Sequence, residues 1–226
     1  MKKRNAFSMI ELLIVMVVIG ILATYSIPRL QRDIRSEAIN HILGMIRYTQ
    51  NLALHDKKHS DTNTTWQRSF WRFEIQKCNN SNDLFYKIGT DINFNKGISR
   101  AESAIDPSNS KYIFWDSRKD CPKNSKDALM EQVSPNIFLT QKYGINGVTF
   151  SCQINNNHQV NTYPYISFDN FGRPIKSWSS YTPNYWGYVV SDCTITFTFK
   201  DTSINPFTII VPKESGYAYL QENINL

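Results

Sequence analysis

The N-terminal part of the chain contains one long apolar run, over residues 7–27. These 21 residues include a single charged residue, Glu11, and the sequence that follows is polar and rich in Asn, Ser and Thr. At about 1.5 Å per residue, a helix of this length spans about 31 Å, which matches the hydrocarbon core of a bilayer. A secretory signal peptide would have a shorter apolar region and a small-residue cleavage site, so the run predicts a retained membrane-spanning helix.

Beyond Pro28 the apolar positions recur at helical spacing, with charged and polar residues between them. This pattern predicts that one helix extends from about Ser8 to about His55, with a bend allowed near Pro28. Residues 7–27 would form its transmembrane and assembly half, and residues 28–55 an amphipathic continuation with one stripe to bury. The stripe comprises Leu30, Ile34, Ala38, Ile42, Met45, Ile46, Leu52 and Ala53.

Residues 56–226 alternate between short segments of period two and helix-breaking loops, which predicts a β-rich globular domain. The clearest alternation is at 148–154, 193–199 and 207–211, and the turn residues of 200–206 predict a hairpin between the last two strands. Other predicted strands are 70–75, 84–88, 112–115, 137–140 and 217–220. Loops are predicted at 56–67, 101–110 and 176–187. A long helix followed by an antiparallel sheet is an α+β fold, with the helical stripe as the sheet's partner.

The composition fits one membrane segment followed by a folded domain. Of the 226 residues, 41% are hydrophobic, which is enough for a core, and the mean hydropathy of −0.40 excludes a polytopic membrane protein. The formal charge is +6, but Lys2, Lys3 and Arg4 precede the apolar run, so the remaining chain carries +3. The net charge therefore does not indicate a surface that binds nucleic acid strongly. The basic residues on the two flanks of the run are equal in number, so charge alone does not orient it.

The chain contains four cysteines whose spacing is too wide for a metal knuckle: Cys78, Cys121, Cys152 and Cys193. An even number in a translocated domain favours two disulfides, for which three connectivities are possible. We favour Cys78–Cys121, because it would close an irregular insertion. We favour Cys152–Cys193 as the second bond, because it would join two predicted strands. The alternative is four buried thiols.

No arrangement of residues in the sequence points to catalysis. There is no glycine-rich phosphate loop, no nucleophile elbow and no HExxH helix, and nothing places the acids Asp169 and Asp192 together. His55 and His59 have the spacing of helical metal ligands, but the sequence places no third ligand, so a solvated helix end explains them better. We therefore expect neither an enzyme nor a cofactor or metal site.

Two clusters of aromatic residues stand out in the β-rich part. Stacking on single-stranded nucleic acid is one interpretation. The other, which we rank higher, is that these residues form strand cores and anchor loops. The first cluster comprises Trp66, Arg68, Phe70, Trp71, Arg72 and Phe73, and the second comprises Trp178, Tyr181, Tyr185, Trp186 and Tyr188.

The N-terminal residues resemble the prepilin signature of type IV pilins and of type II secretion pseudopilins. In that family a short basic leader ends in a small residue, and Phe, three further residues, Glu and an apolar helix follow. Residues 1–6 (MKKRNA) fit the leader, although Ala6 stands where the family usually has Gly. Phe7 would be the first mature residue and Glu11 the fifth. Pro28 follows the apolar run, as a proline commonly does in the family.

The resemblance implies that prepilin peptidase cleaves between Ala6 and Phe7 and methylates the new amine of Phe7. That ammonium and the Glu11 carboxylate of a neighbouring subunit could then neutralise each other in an apolar bundle. Since a lone carboxylate in such a bundle costs more than a paired one, Glu11 would favour docking in register. The implied partners are other pseudopilins or pilins through the N-terminal helix, the prepilin peptidase and the inner membrane.

Looser similarities downstream narrow the resemblance to H-type minor pseudopilins and related minor pilins. Residues 43–54 look like the end of their helix, residues 166–175 like their strand-then-glycine segment, and residues 213–217 like their closing turn. The implied protein is a structural minor subunit of a type II secretion or type IV pilus-like assembly, in the bacterial inner membrane with a periplasmic C-terminal domain. The alternatives are a DNA-uptake minor pilin and a membrane-tethered periplasmic enzyme or receptor. Secreted cargo or DNA would then contact the β domain.

Overall fold

The structure is a computed structural model that describes residues 9–30, 33–58, 66, 69–95, 97–122, 131–154, 158–159, 164–176 and 187–221. For residues 23–30 and 158–159 it describes the backbone alone. The chain divides into two compact units, Met1–Ile34 and Arg35–Leu226.

Two helices form the described N-terminal part of the chain, α1 over Met9–Leu30 and α2 over Ile34–Leu54. We predicted one rod with a bend near Pro28, whereas α1 continues through Pro28 and Asp33 is non-helical. Proline removes one backbone hydrogen bond from a helix, and here it does not end it. Aspartate is a residue type favoured immediately before a helix begins, which fits the new start after Asp33.

Ten strands lie within the described residues of the second unit. Their bounds are β1 Trp71–Lys77, β2 Leu84–Gly89, β3 Ile145–Ser151, β4 Gln153–Ile154, β5 His158–Gln159, β6 Tyr165–Phe168, β7 Pro174–Ile175, β8 Cys193–Phe199, β9 Phe207–Val211 and β10 Tyr219–Leu220. One four-stranded sheet has the order β2-β1-β6-β7, another has the order β10-β9-β8-β3, and β4 pairs with β5. Every pairing is antiparallel, so the predicted α+β class is confirmed.

The hairpin of β8 and β9 has the register that its alternation predicts. Phe197 lies opposite Phe207, and the two rings stack with their centroids 4.9 Å apart. Successive side chains of a strand point to opposite faces, so period two gives one buried face. The buried residues are Cys193, Ile195, Phe197, Phe199, Phe207, Ile209 and Val211. The predicted strands at 193–199 and 207–211 are confirmed at both ends.

The helix α2 buries one stripe of side chains, which contains four residues of the predicted stripe, Ala38, Ile42, Ile46 and Ala53. Of the other predicted residues, Ile34, Met45 and Leu52 are half-buried, and Leu30 lies outside the described side chains. The buried residues are Ala38, Ile39, Ile42, Ile46, Thr49, Gln50 and Ala53. Beside the stripe, Arg35 Nε donates to the carbonyl oxygen of Asn205 at 2.9 Å, just before β9. Arg47 Nε donates to the carbonyl oxygen of Ala218 at 2.8 Å, just before β10. From Arg35 onwards, α2 is therefore an integral part of the β-rich unit.

The strand predicted at 137–140 is wrong. These residues form the end of a 3-10 turn and the start of α3, which spans Leu139–Tyr143. Ser134 caps the turn through its side chain and Pro135 stands in its first position. Gly144 ends α3 with φ at +71°, in the left-handed region that favours glycine. The segment therefore carries the boundary residues of helices, and these outweigh its short apolar run.

The region between β2 and α3 has little regular structure among its described residues. The strand predicted at 112–115 is absent, and Tyr112 forms isolated bridges to Ile105 and Val133 instead. The loop predicted at 101–110 includes part of a 3-10 turn, Arg100–Glu102.

The segment 166–175, whose resemblance indicated a strand followed by glycine, contributes to β6, a turn and β7. The turn contains Gly172 with φ at +80°, a conformation that other residues rarely adopt.

Candidate functional site

The described side chains of α1 are exposed on every side of the helix. Over residues 9–22, the exposed fraction of the large apolar side chains runs from 44% at Val15 to 91% at Met9. A helix that is apolar all round is stable in lipid or in a bundle of apolar helices. An exposed apolar surface of this extent marks an interaction site.

Glu11 lies in the first turn of α1 and is the one charged residue of the apolar run. Its side chain is exposed. A carboxylate near the N-terminus of a helix interacts favourably with the positive end of the helix dipole. The carboxylate thus lies at one end of an otherwise apolar surface.

Three predictions about the N-terminus concern residues without a structural description. The leader 1–6, the cleavage position Ala6 and the methylation position Phe7 lie outside the described residues. In the part of the chain with a structural description, no helix has the combined length and apolarity of a membrane span.

The two disulfides that we favoured from the sequence are present. Cys78, after β1, bonds to Cys121, which is 43 positions further along the chain. Cys152 bonds to Cys193 across 41 positions. Since Cys152 follows β3 and Cys193 begins β8, this second bond closes one end of the ladder between those two strands. All four cysteines are thereby used.

Gln50 connects α2 to two turns that are far away in the sequence. Its Nε2 donates to the carbonyl oxygen of Gly172 at 2.8 Å and to that of Ser215 at 2.7 Å. Gly216, with φ at +64°, lies so close to the first turn that an added Cβ would be 2.0 Å from the Gly172 oxygen. Sequence reasoning missed Gln50, and the glycines are the feature of the sequence that could have indicated such a junction.

The carboxylate of Asp106 organises its own loop and is buried. It accepts hydrogen bonds from the Ser108 backbone N at 2.8 Å, from Ser134 Oγ at 2.5 Å and from Asn136 Nδ2 at 3.1 Å. Burial by itself raises the pKa of Asp106, but these bonds outweigh burial and hold the pKa below its ordinary value. A carboxylate with this many donors is a structural group.

The two isolated acids of the sequence have separate partners. Asp169 is buried beside Arg173, whose Nη2 lies 2.8 Å from Asp169 Oδ2, and the same oxygen accepts from Tyr188 OH at 3.0 Å. Burial, reinforced by Asp169, raises the pKa of Tyr188 to about 12. Asp192 instead accepts from the backbone N of Lys213 at 3.0 Å. These contacts hold turns together and do not form an acid pair.

The histidines do not converge on a metal site in the described chain. His55 Nδ1 lies 2.9 Å from the carbonyl oxygen of Asn51, and His59 lies outside the described residues. His41 Nε2 lies 2.7 Å from Tyr86 OH, and burial lowers the pKa of His41 to about 4. Among the described residues, no three His, Cys, Asp or Glu side chains are grouped so that they could hold a metal ion.

A buried amine follows β7. Lys176 is 1% exposed, and its Nζ donates to the carbonyl oxygen of Tyr165 at 2.6 Å. The Nζ also lies 4.6 Å from the ring centroid of Phe150, within range of a cation–π interaction. Burial lowers the pKa of Lys176 to about 7. Sequence reasoning placed this residue in a loop, and its burial has no local signal in the sequence.

The aromatic and arginine cluster at 66–73 lies largely inside the domain. Arg72 and Phe73 are buried, and Phe73 stacks on Tyr86 with centroids 5.1 Å apart. Trp66 and Phe70 contact each other edge to face at 5.4 Å. Arg72 and Phe73 are therefore part of the core, whereas Trp66, Phe70 and Trp71 are half-buried. Five residues of the two clusters lie outside the described chain: Arg68, Trp178, Tyr181, Tyr185 and Trp186.

Comparison with known proteins bears on the N-terminal segment. Residues 1–27 match the family model described as the prokaryotic N-terminal methylation motif. This match supports a type IV prepilin-like protein, and it rests on the N-terminal segment alone. The α+β fold is consistent with a pilin-like architecture. Searches of the curated proteins and of the solved structures give no match to the chain.

Proposed function

We propose that this chain is a non-catalytic minor subunit, a minor pseudopilin or minor pilin, of a type II secretion or type IV pilus-like assembly. The observation that carries the proposal is the combination, in α1, of the methylation motif with apolar side chains exposed all round. Such a helix suits the bilayer before assembly and a bundle of like helices afterwards.

In this proposal, prepilin peptidase removes residues 1–6 and methylates the amine of Phe7. The basic residues of the leader stay on the cytoplasmic side, and the β-rich unit lies in the periplasm, where its two disulfides are stable. Glu11 then supplies a carboxylate that is costly when unpaired in an apolar bundle, so subunits dock in the register that pairs it.

Direct contact between the β domain and DNA has less support. The arginine and aromatic residues that would form a stacking surface are partly buried, Arg72 and Phe73 among them. The chain beyond the leader carries +3, which gives little long-range attraction for a polyanion. Salt-dependent binding of DNA by the purified chain would favour this alternative.

The proposal is tested with Glu11→Gln, which removes the charge and keeps the size of the side chain. We expect the variant to remain in the membrane fraction, while its co-purification with the other subunits falls at least about tenfold, the factor that corresponds to about 1.4 kcal/mol. The matched control is Glu214→Gln, because the Glu214 side chain is 84% exposed in the β-rich unit.

Mass spectrometry of the assembled protein tests the processing step in the same cells. We expect an N-terminus at methylated Phe7. Assembled protein that still begins at Met1, or normal assembly of Glu11→Gln, would contradict the proposal.

A further inference from the structure

A cleft of about 260 Å³ opens beside β2, with Asn95 and residues 97–100 on one side and the segment 114–118 on the other. Its lining is rich in hydrogen-bond donors: Lys87, Ser99, Arg100, Trp115, Ser117 and Arg118. Asp116 is the one carboxylate among its described lining residues, against three cations. The cleft therefore has an excess of positive charge and of donors.

Lys87 is a buried cation on this cleft. It is 5% exposed, and its Nζ lies 5.8 Å from the ring centroid of Phe114. Glu74 lies opposite it on β1; Oε1 of that carboxylate accepts from Gln76 Nε2, and Oε2 lies 3.3 Å from Arg72 Nε without a hydrogen bond. No described residue accepts a hydrogen bond from the ammonium. The Lys87 side chain is largely removed from water, but its Nζ is not fully buried, so an acceptor from outside the chain can reach the ammonium and would stabilise it.

Trp115 is a second donor without an acceptor on the same cleft. The residue is 4% exposed, and its ring contacts Phe138 edge to face at 5.4 Å. Within the described residues its Nε1 is buried and has no hydrogen-bond partner. Buried indole N–H groups normally have one. The lining thus contains two donors without acceptors among the described residues, the ammonium of Lys87 at the surface of the cleft and the buried N–H of Trp115.

The rim of the cleft carries two arginines. The Arg118 side chain is 88% exposed and forms an ion pair with Asp116 at 2.9 Å. The Arg100 guanidinium lies 5.0 Å from the ring centroid of Tyr112, and it also donates to Gln132. Positive charge at the rim attracts anions towards the buried donors.

These features define the chemistry of a ligand. Donors without acceptors favour a ligand that carries oxygen acceptors, and the net positive charge of the lining favours an anion. The volume lies below the range of about 300–1,000 Å³ that is typical of sites for whole small molecules, so one group of a larger partner fits better. A nucleic acid would require a stripe of cations along its backbone, whereas here the cations surround a single cleft.

We infer that this cleft binds a carboxylate on an acidic segment of a partner protein. The inference does not depend on α1 or on the proposed assembly. It assigns to the β domain a recognition site that is separate from the helix.

The probe for the test is a fluorescein-labelled hexaglutamate peptide, added to the full-length chain in uncharged detergent. We expect saturable binding that weakens as salt is added, because the rim charges are screened. Lys87→Met and Arg118→Gln should each weaken binding at least about fivefold, the factor that corresponds to about 1 kcal/mol. Lys213→Met is the matched control, because Lys213 is a partly exposed lysine outside the lining, and it should bind as the wild type does.

The melting temperature of Lys87→Met and the peptide binding of Glu11→Gln serve as controls for folding and for assembly. Lys87→Met removes a buried cation without an acceptor and should not lower the melting temperature; if it does, Arg118→Gln, an exposed position, carries the test. Glu11→Gln should bind the peptide as tightly as the wild type, which separates this site from assembly. No binding, unchanged binding in both cleft variants, or tighter binding of an oligothymidylate of equal charge would overturn the inference.

Discussion

Replacing Gln50 by alanine tests how α2 is fixed to the β-rich unit. Gln50 is 6% exposed, and its amide donates to carbonyl oxygens 2.8 and 2.7 Å away, at Gly172 and Ser215. The first carbonyl belongs to the turn between β6 and β7, and the second to the turn after β9. Among the described residues of α2, Gln50 is the one that bonds to both turns, and the substitution removes its amide.

The magnitude follows from the burial of the two carbonyls. A buried acceptor left without its donor costs about 1–3 kcal/mol. The bond to Gly172 is buried and the bond to Ser215 is partly buried, so water can replace the second more easily. We therefore expect Gln50→Ala to lower the free energy of unfolding by about 2–3 kcal/mol. For a domain of this size, this corresponds to a melting temperature lower by about 4–12 °C.

The assay is thermal unfolding of the full-length chain in detergent, followed by tryptophan fluorescence. Gln141→Ala is the matched control, since Gln141 is an exposed glutamine on α3. It should change the melting temperature by no more than about 1–2 °C, because exposed substitutions rarely exceed about 0.5 kcal/mol. Equal melting temperatures for the two variants would refute the role assigned to Gln50.

Two more predictions concern pH and the disulfides. Burial lowers the pKa of His41 to about 4, so between about pH 6.5 and about pH 4 the unfolded chain binds a proton that the folded chain does not. The free energy of unfolding should fall over that range as pH falls, and urea unfolding of His41→Asn should show a smaller fall; an equal fall would contradict the assignment. Replacing Cys152 and Cys193 by serine should lower the free energy of unfolding by about 4 kcal/mol, as expected for a loop of 41 residues. Urea unfolding measures the loss, and stability equal to the wild type would count against the bond.

The parts of the fold that could be predicted from the sequence are those with a regular local pattern. The hairpin of β8 and β9 alternates strictly and has turn residues between its strands, and both bounds were predicted correctly. The segment at 137–140 is a short apolar run, and such runs do not distinguish a strand from a buried helix. Ser134, Pro135 and Gly144 carried the deciding signal, because they are boundary residues of helices.

The residues of the candidate site also differ in whether a local pattern in the sequence indicates them. Glu11 and the motif around it can be read directly, because all their members lie within one short segment. Gln50 could not be predicted as a junction, since its two acceptors are 122 and 165 positions away. The cleft at Lys87 likewise depends on β2 meeting two separate loops. No local pattern shows that a lysine on a strand lacks an acceptor.

The two N-terminal helices have nearly the same length, but they differ in how far their side chains are buried. We infer from this difference that the two units have separate functions. α2 buries one stripe of side chains within the β-rich unit, whereas the described side chains of α1, at residues 9–22, are exposed on every side of the helix. In the proposed assembly, a helix without a distinct face can pack with like helices in many registers, and Glu11, the one charged residue of the apolar run at 7–27, would select one of them. Discrimination between different partner proteins requires a surface with specific chemistry, which the donor-rich cleft at Lys87 provides. A variant that abolishes register should therefore leave peptide recognition intact, and a cleft variant should still assemble.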